Sequence, residues 1–171
     1  GPSREMYAPA QYADVAAEGT AELAERVAAA RDAGIGADRI IVDPGIGFGK
    51  RPEQNWEVLR ALPQLVAAGQ RVLLGTSRKR FLAEALAEAS VDAERRFTRR
   101  TGAAATRAGG EDPSGDTVGA VTEARRDGAT AVTSALAARA GVWGVRVHDV
   151  AATRDALRVA ELWGGSDAAA R

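Results

Sequence analysis

Three short apolar runs recur along the chain, each closed at its C-terminal end by polar or glycine residues: Arg39-Ile40-Ile41-Val42-Asp43, Arg71-Val72-Leu73-Leu74-Gly75, and residues 142–148. Runs of this length, rich in Val, Ile and Leu and bounded by turn residues, predict strands, and where they do not alternate they predict strands buried on both faces. The segments between them change period. Residues 11–33 keep Tyr12, Val15, Leu23, Val27 and Ala30 at helical spacing and stop at Gly34. Residues 52–68 place Trp56, Leu59, Leu62, Leu65 and Val66 on one side, with a bend expected at Pro63 and an end at Gly69. Helices are likewise expected over 78–89 with Ser77 as N-cap, over 129–140 with Asp127 as cap, and over 153–163. Strand and helix in alternation require parallel strands joined by right-handed crossovers, so the fold class is α/β.

Residues 90–127 interrupt this rhythm. They carry Arg95-Arg96, Arg99-Arg100, Gly109-Gly110 and Asp112-Pro113-Ser114-Gly115-Asp116 with few large apolar side chains, and a mobile insertion is expected there. Three strands cannot close an eight-stranded barrel, which takes about 250 residues. The 171 residues therefore allow either a small open sheet or part of something larger.

Composition narrows the chemistry. Lys plus Arg and Asp plus Glu number 23 each, so no whole-molecule field recruits nucleic acid or an acidic membrane. The arginines at 95, 96, 99 and 100 have only Phe97 for an aromatic neighbour and Asp92 and Glu94 close by, the pattern of a solvated segment. The chain has no Cys, which removes disulfides, thiolate metal ligands and a cysteine nucleophile. With no apolar run of membrane-spanning length and no leader pattern, a cytoplasmic location is expected. The chain starts at Gly1 and its single Met is Met6, so it reads as a processed product or a piece of a longer protein.

In parallel α/β folds the ligand lies beyond the C-terminal ends of the strands, where this chain concentrates its polar residues. Asp43 emerges directly from the first strand and could accept two N–H bonds from a guanidine-like edge, or serve only as a turn carboxylate. The glycines at 45, 47 and 49 make a tight loop without the spacing of a dinucleotide fingerprint. Phe48 and Lys50 in that loop could meet a ligand, or Lys50 could face solvent. After the second strand, Ser77-Arg78-Lys79-Arg80 sets three cations at an expected helix N-terminus, where the dipole disfavours them unless an anion binds there. At the third strand, Arg146 and His148 stand two residues apart and so share a face, able to hold one anion together. A lone His provides no metal cage and is often structural, and Asp149 could cap the next helix.

The three segments Asp43-Pro44-Gly45-Ile46-Gly47-Phe48, Gly75-Thr76-Ser77-Arg78-Lys79 and Arg146-Val147-His148-Asp149-Val150, in this order at strand ends, resemble the pterin-binding enzymes, specifically their dihydropteroate synthase branch. The resemblance covers residues 12–163. It implies the last three strands and four helices of a TIM (β/α)8 barrel, with 90–127 longer than the family usually carries and nothing similar to the first five strands. Residues 1–171 would then be the C-terminal part of one barrel domain.

The resemblance also implies a transferase of folate biosynthesis, a sulfonamide target, joining 7,8-dihydropterin-6-methyl pyrophosphate to 4-aminobenzoate with release of pyrophosphate. Lys79, Arg146 and His148 would be catalytic. Asp43, Gly75, Lys79 and Arg146 would hold the pterin, Arg146 and His148 the pyrophosphate, and Phe48, Ser77, Arg78 and Arg80 the aminobenzoate. Many relatives carry Ser at the position of Arg80. Mg²⁺ would arrive with the pyrophosphate rather than occupy a protein metal site, and a homodimer through the C-terminal helices would be expected. Alternatives are another pterin or folate barrel, such as a methyltransferase domain, or a non-catalytic fragment that persists by pairing with another chain. Without the strands that carry the rest of the pterin pocket, the chain alone would be inactive.

Overall fold

The computed structural model describes residues 11–101 and 118–164. Helix α1 (Val15–Asp32) opens on Asp14, whose Oδ1 accepts from the N–H groups of Ala16 and Ala17. A short 3-10 turn (Ala37–Arg39) leads into strand β1 (Ile41–Val42). The helix expected over 52–68 is two helices, α2 (Pro52–Arg60) and α3 (Leu62–Ala67). The break falls at Ala61 because Pro63 cannot donate back into the preceding turn. Strand β2 (Arg71–Leu74) and helix α4 (Arg80–Thr101) follow, then α5 (Glu123–Arg139), strand β3 (Gly144–Val145) and α6 (Val150–Gly164).

The three strands form one parallel sheet in the order β1-β2-β3, with Ile41 opposite Arg71, Val42 opposite Val72, Leu73 opposite Gly144 and Leu74 opposite Val145. Parallel order with helical crossovers bears out the α/β reading. The core lies between sheet and helices, where Val15, Ile46, Leu62, Val72, Leu74 and Leu82 are buried. Trp56 of α2 meets Phe81 of α4 edge-on, centroids 4.9 Å apart, a geometry in which a ring edge faces the partner's electron-rich face.

Four expectations are corrected. The strand at 39–43 is not buried on both faces: Val42 is buried but Ile41 is 42% exposed. The insertion expected over 90–127 is helical through Thr101, since Ala, Glu and Arg favour helix even where large apolar residues are scarce; residues 102–117 of it lie outside the described residues. Helix α5 begins at Glu123 with Thr122 as N-cap, so Asp127 sits inside the helix and caps nothing. Finally, α4 starts at Arg80 rather than Arg78, and Ser77 does not cap it.

Candidate functional site

The strand ends converge as the sequence predicts. The turns after β1 and β2 and the segment after β3 enclose a basin of about 560 Å³ lined by Phe48, Gly75, Ser77, Arg78, Lys79, Arg146, Val147 and His148. Each bank is braced locally. After β1, Asp43 Oδ1 accepts from the N–H of Gly45 at 2.8 Å, so the turn-carboxylate reading holds, while its Oδ2 lies 3.9 Å from Arg146 Nη2. Gln54 and Asn55, both 2% exposed, tie the loop to α2: Arg51 N–H donates to Gln54 Oε1, Gly47 N–H to Asn55 Oδ1, and Asn55 Nδ2 to the Arg51 carbonyl. Sequence reasoning missed this pair, although two adjacent amides in the first turn after Pro52 were a visible signal. Lys50 serves the loop itself, donating to the carbonyls of Gly45 and Phe48, and burial lowers its pKa.

Two glycines let long cations lie against backbone. Gly47 has φ +78°, and a Cβ there would stand 2.8 Å from Lys79 Cδ; the Lys79 stem fills that space and carries Nζ to 3.7 Å from the centroid of the Phe48 ring. A Cβ on Gly75 would stand 3.2 Å from Arg146 Nη2, so the guanidinium packs against the backbone at the end of β2. Burial lowers the pKa of Lys79, the Arg146 charge lowers it further, and Asp43 opposes both.

On the second bank, Ser77 Oγ lies 2.7 Å from His148 Nδ1 and accepts from the His148 backbone N–H at 3.0 Å. That contact replaces the helix-cap role expected of Ser77. The backbone N–H of Arg146 donates to the Leu74 carbonyl, extending the ladder and bringing Arg146 and His148 to the same basin. Asp149 caps α6 by accepting from the N–H of Ala152.

Two expected ligands have other partners. Arg78 lines the basin but is held by α5: Nε and Nη2 each donate to an Asp127 oxygen at 2.9 Å, and Nη1 lies 3.1 Å from Glu123. These bonds to Arg78 hold the Asp127 carboxyl below its usual pKa, with lesser help from His148. Arg80 does not line the basin; its side chain is 83% exposed and pairs with Glu84 one turn along α4. Its early place in α4 turns it toward the outer face of the helix. Arg95, Arg96, Arg99 and Arg100 lie on the exposed far part of α4, solvated but helical.

The arrangement gathers Lys79, Arg146 and His148 around one space, with Asp43 at its edge, which suits an anion flanked by a group rich in N–H donors. Among the described residues no group of three or more His, Asp or Glu side chains is placed to hold a metal ion. No helix among them is long and apolar enough to cross a membrane.

Comparison with known proteins follows the same lines. The family model described as "Pterin binding enzyme" matches residues 1–148. A dihydropteroate synthase from Mycobacterium leprae is 44% identical over 157 residues, covering 92% of this chain and 46% of that protein. One from Streptococcus pyogenes serotype M1 is 38% identical over 138 residues, 80% of this chain and 40% of that protein. Among solved structures, the Xanthomonas albilineans dihydropteroate synthase with 4-aminobenzoic acid superposes with a TM-score of 0.70 at 33% identity, over 93% of this chain and 48% of that one. The Thermus thermophilus enzyme in complex with 6HMPPP gives a TM-score of 0.67 at 33% identity, over 91% and 49%. The chain spans about half the length of the relatives it matches.

Proposed function

The chain belongs to the pterin-binding enzyme family, and we propose that it is the C-terminal part of a dihydropteroate synthase barrel, contributing the pyrophosphate side of the active site. The observation that carries this reading is the convergence of Lys79, Arg146 and His148 on one basin beyond the ends of all three parallel strands. In the reaction, the amine nitrogen of 4-aminobenzoate bonds to the 6-methylene carbon of the dihydropterin. The carbon–oxygen bond to pyrophosphate breaks, its electron pair leaves with the pyrophosphate, and the amine gives up one proton. Negative charge therefore gathers on the departing group, and fixed cations stabilise it.

Arg146 and His148 hold the leaving pyrophosphate. Arg146, packed against Gly75, also offers a face to the pterin. Lys79, positioned by Gly47 and Phe48, donates to the pterin beside the reacting methylene. Asp43 spends one oxygen on its own turn and keeps Oδ2 for the amino-pyrimidine edge. Phe48 and the Ser77 turn border the aminobenzoate, whose carboxylate is not met by Arg80 in its present pairing with Glu84. Mg²⁺ enters on the pyrophosphate oxygens as part of the substrate; the donors here are cations, which fit the anion and not a bare dication. A second copy of the chain packs against the exposed Val132 and Leu136 of α5 and Val159 and Trp163 of α6.

Isothermal titration of the 171-residue chain with 7,8-dihydropterin-6-methyl pyrophosphate and Mg²⁺ tests the reading, with size-exclusion chromatography to count the chains. Binding by a folded species is expected, weakened at least about tenfold by Arg146→Ala, the effect of losing a hydrogen bond between charged groups. No dihydropteroate forms from the chain alone, because the remaining strands of the barrel carry the rest of the pocket. Absence of binding by the folded chain, or binding indifferent to both Arg146→Ala and Lys79→Ala, overturns the assignment; turnover by the chain alone overturns the partial-site reading.

A further inference from the structure

Helix α5 contributes no residue to the basin, yet one face of it grips the turn that does. Glu123, Asp127, Thr130 and Thr133 fall at spacings of four, three and three, which places them on one stripe of the helix. All four reach the segment 76–78. Thr133 Oγ1 lies 2.9 Å from Thr76 Oγ1, Thr130 Oγ1 accepts from the Arg78 N–H at 3.4 Å, and Asp127 and Glu123 hold the Arg78 guanidinium. Arg78 is also the one non-glycine residue with positive φ among those described, at +56°. A side chain in the left-handed region persists where its surroundings over-determine it. Here a two-pronged carboxylate on the far helix does so, and the turn it fixes sends Ser77 and Lys79, on either side of Arg78, toward the basin.

We propose that Asp127 is a positioning residue of the anion site: through Arg78 it sets the turn that presents Lys79 to the ligand and Ser77 to His148. The Ser77 hydroxyl accepts the His148 backbone N–H and has its own hydrogen for Nδ1, which leaves the ring proton on Nε2 as a donor toward the basin. Arg78 is thereby a strut rather than a ligand. The proposal rests on the anion-binding reading given above.

The test exploits a difference of sign. If Asp127 were only a negative charge near the basin, or if Arg78 were itself the anion's ligand, Asp127→Asn would release a cation and tighten binding. As a positioning residue its loss loosens binding. In isothermal titration of the full chain with inorganic pyrophosphate, Asp127→Asn is expected to weaken the affinity about tenfold, the scale of a misplaced charged contact, with Asp127→Glu restoring most of it. The second readout needs no ligand. His148 is the only histidine, so the ¹⁵N resonances of its imidazole are unambiguous. The neutral ring is expected as the Nε2–H tautomer in the parent chain and as a mixture of tautomers in Asp127→Asn.

Tighter or unchanged pyrophosphate binding with an unaltered His148 ring overturns the proposal. If the parent chain binds no pyrophosphate but the His148 tautomer still responds to Asp127→Asn, the positioning role stands and the anion reading falls. Should Asp127→Asn fail to fold, Arg78→Gly keeps the left-handed turn without steric cost while removing the guanidinium, and the same shift in the His148 ring is expected.

Discussion

Gly47→Ala separates what the loop backbone requires from what the Lys79 stem requires. At φ +78° an alanine is forced into the left-handed region, at about 1–2 kcal/mol. Its Cβ also stands 2.8 Å from Lys79 Cδ, where carbon atoms rest at about 3.5–4.0 Å, so the stem must withdraw by roughly 1 Å. That takes Nζ off the Phe48 ring and forfeits a further ~0.5–1 kcal/mol. Gly69→Ala is the matched control, because Gly69 has φ +87° and nothing within 4 Å of an added Cβ. It incurs the backbone term alone. Urea unfolding of the two variants should therefore differ by about 0.5–1 kcal/mol, with Gly47→Ala the less stable. Pyrophosphate titration should separate them further: Gly69→Ala leaves the affinity unchanged, and Gly47→Ala lowers it about tenfold by moving a charged donor. Equal stabilities together with equal affinities would refute the argument that Gly47 exists to admit Lys79.

Two further outcomes follow from the same geometry. Thr76 is 2% exposed and its hydroxyl meets that of Thr133, so Thr133→Val strands a buried polar group and costs about 1–3 kcal/mol in urea unfolding, part of which returns in the Thr76→Val/Thr133→Val double variant; strict additivity would mean that the pair contributes nothing. Lys79 has its pKa lowered from 10.5, chiefly by burial, so in the ligand-free chain it sheds its proton before an exposed lysine does. Pyrophosphate affinity should then fall as pH rises, with a midpoint below 10.5, while the stability of the fold gains over that same window because the unfolded chain still holds the proton. Lys79→Met should remove both trends, and an affinity profile unchanged by that substitution would remove Lys79 from the site.

Much of the site was legible because strand ends are local. Short β-branched runs announced β1 and β2, and the polar residues that close them had to emerge at one rim in any parallel sheet. What local pattern could not supply was the choice of partner. Ser77 before a helix reads as a cap, but a histidine 71 residues away competes for its hydroxyl and wins. Arg78 beside Lys79 reads as a ligand, but its counter-charge waits 49 residues downstream on α5. Asp127 reads as a cap because it stands just before the helical run at 129–140, whereas the helix starts earlier, at Glu123 with Thr122 as its cap. The stripe of Glu123, Asp127, Thr130 and Thr133 was visible as helical periodicity, carried by polar residues in place of apolar ones. The charged run at 90–101 failed for the opposite reason: the scarcity of large apolar residues outweighed the strong helix propensity of Arg, Glu and Ala.

The contacts that fix the sheet and the basin beyond it differ in how much chain each must close. Arg71 reaches the Asp38 carbonyl across 33 residues, the α5 stripe meets the 76–78 turn across 49 to 57, and Ser77 meets His148 across 71. Loop-closure entropy rises along that series, by about 0.7 kcal/mol between its ends. In the folded chain α5 is a template: the receiving bank of the basin is shaped by a helix that supplies none of its lining, and His148 is held there by the longest of these closures.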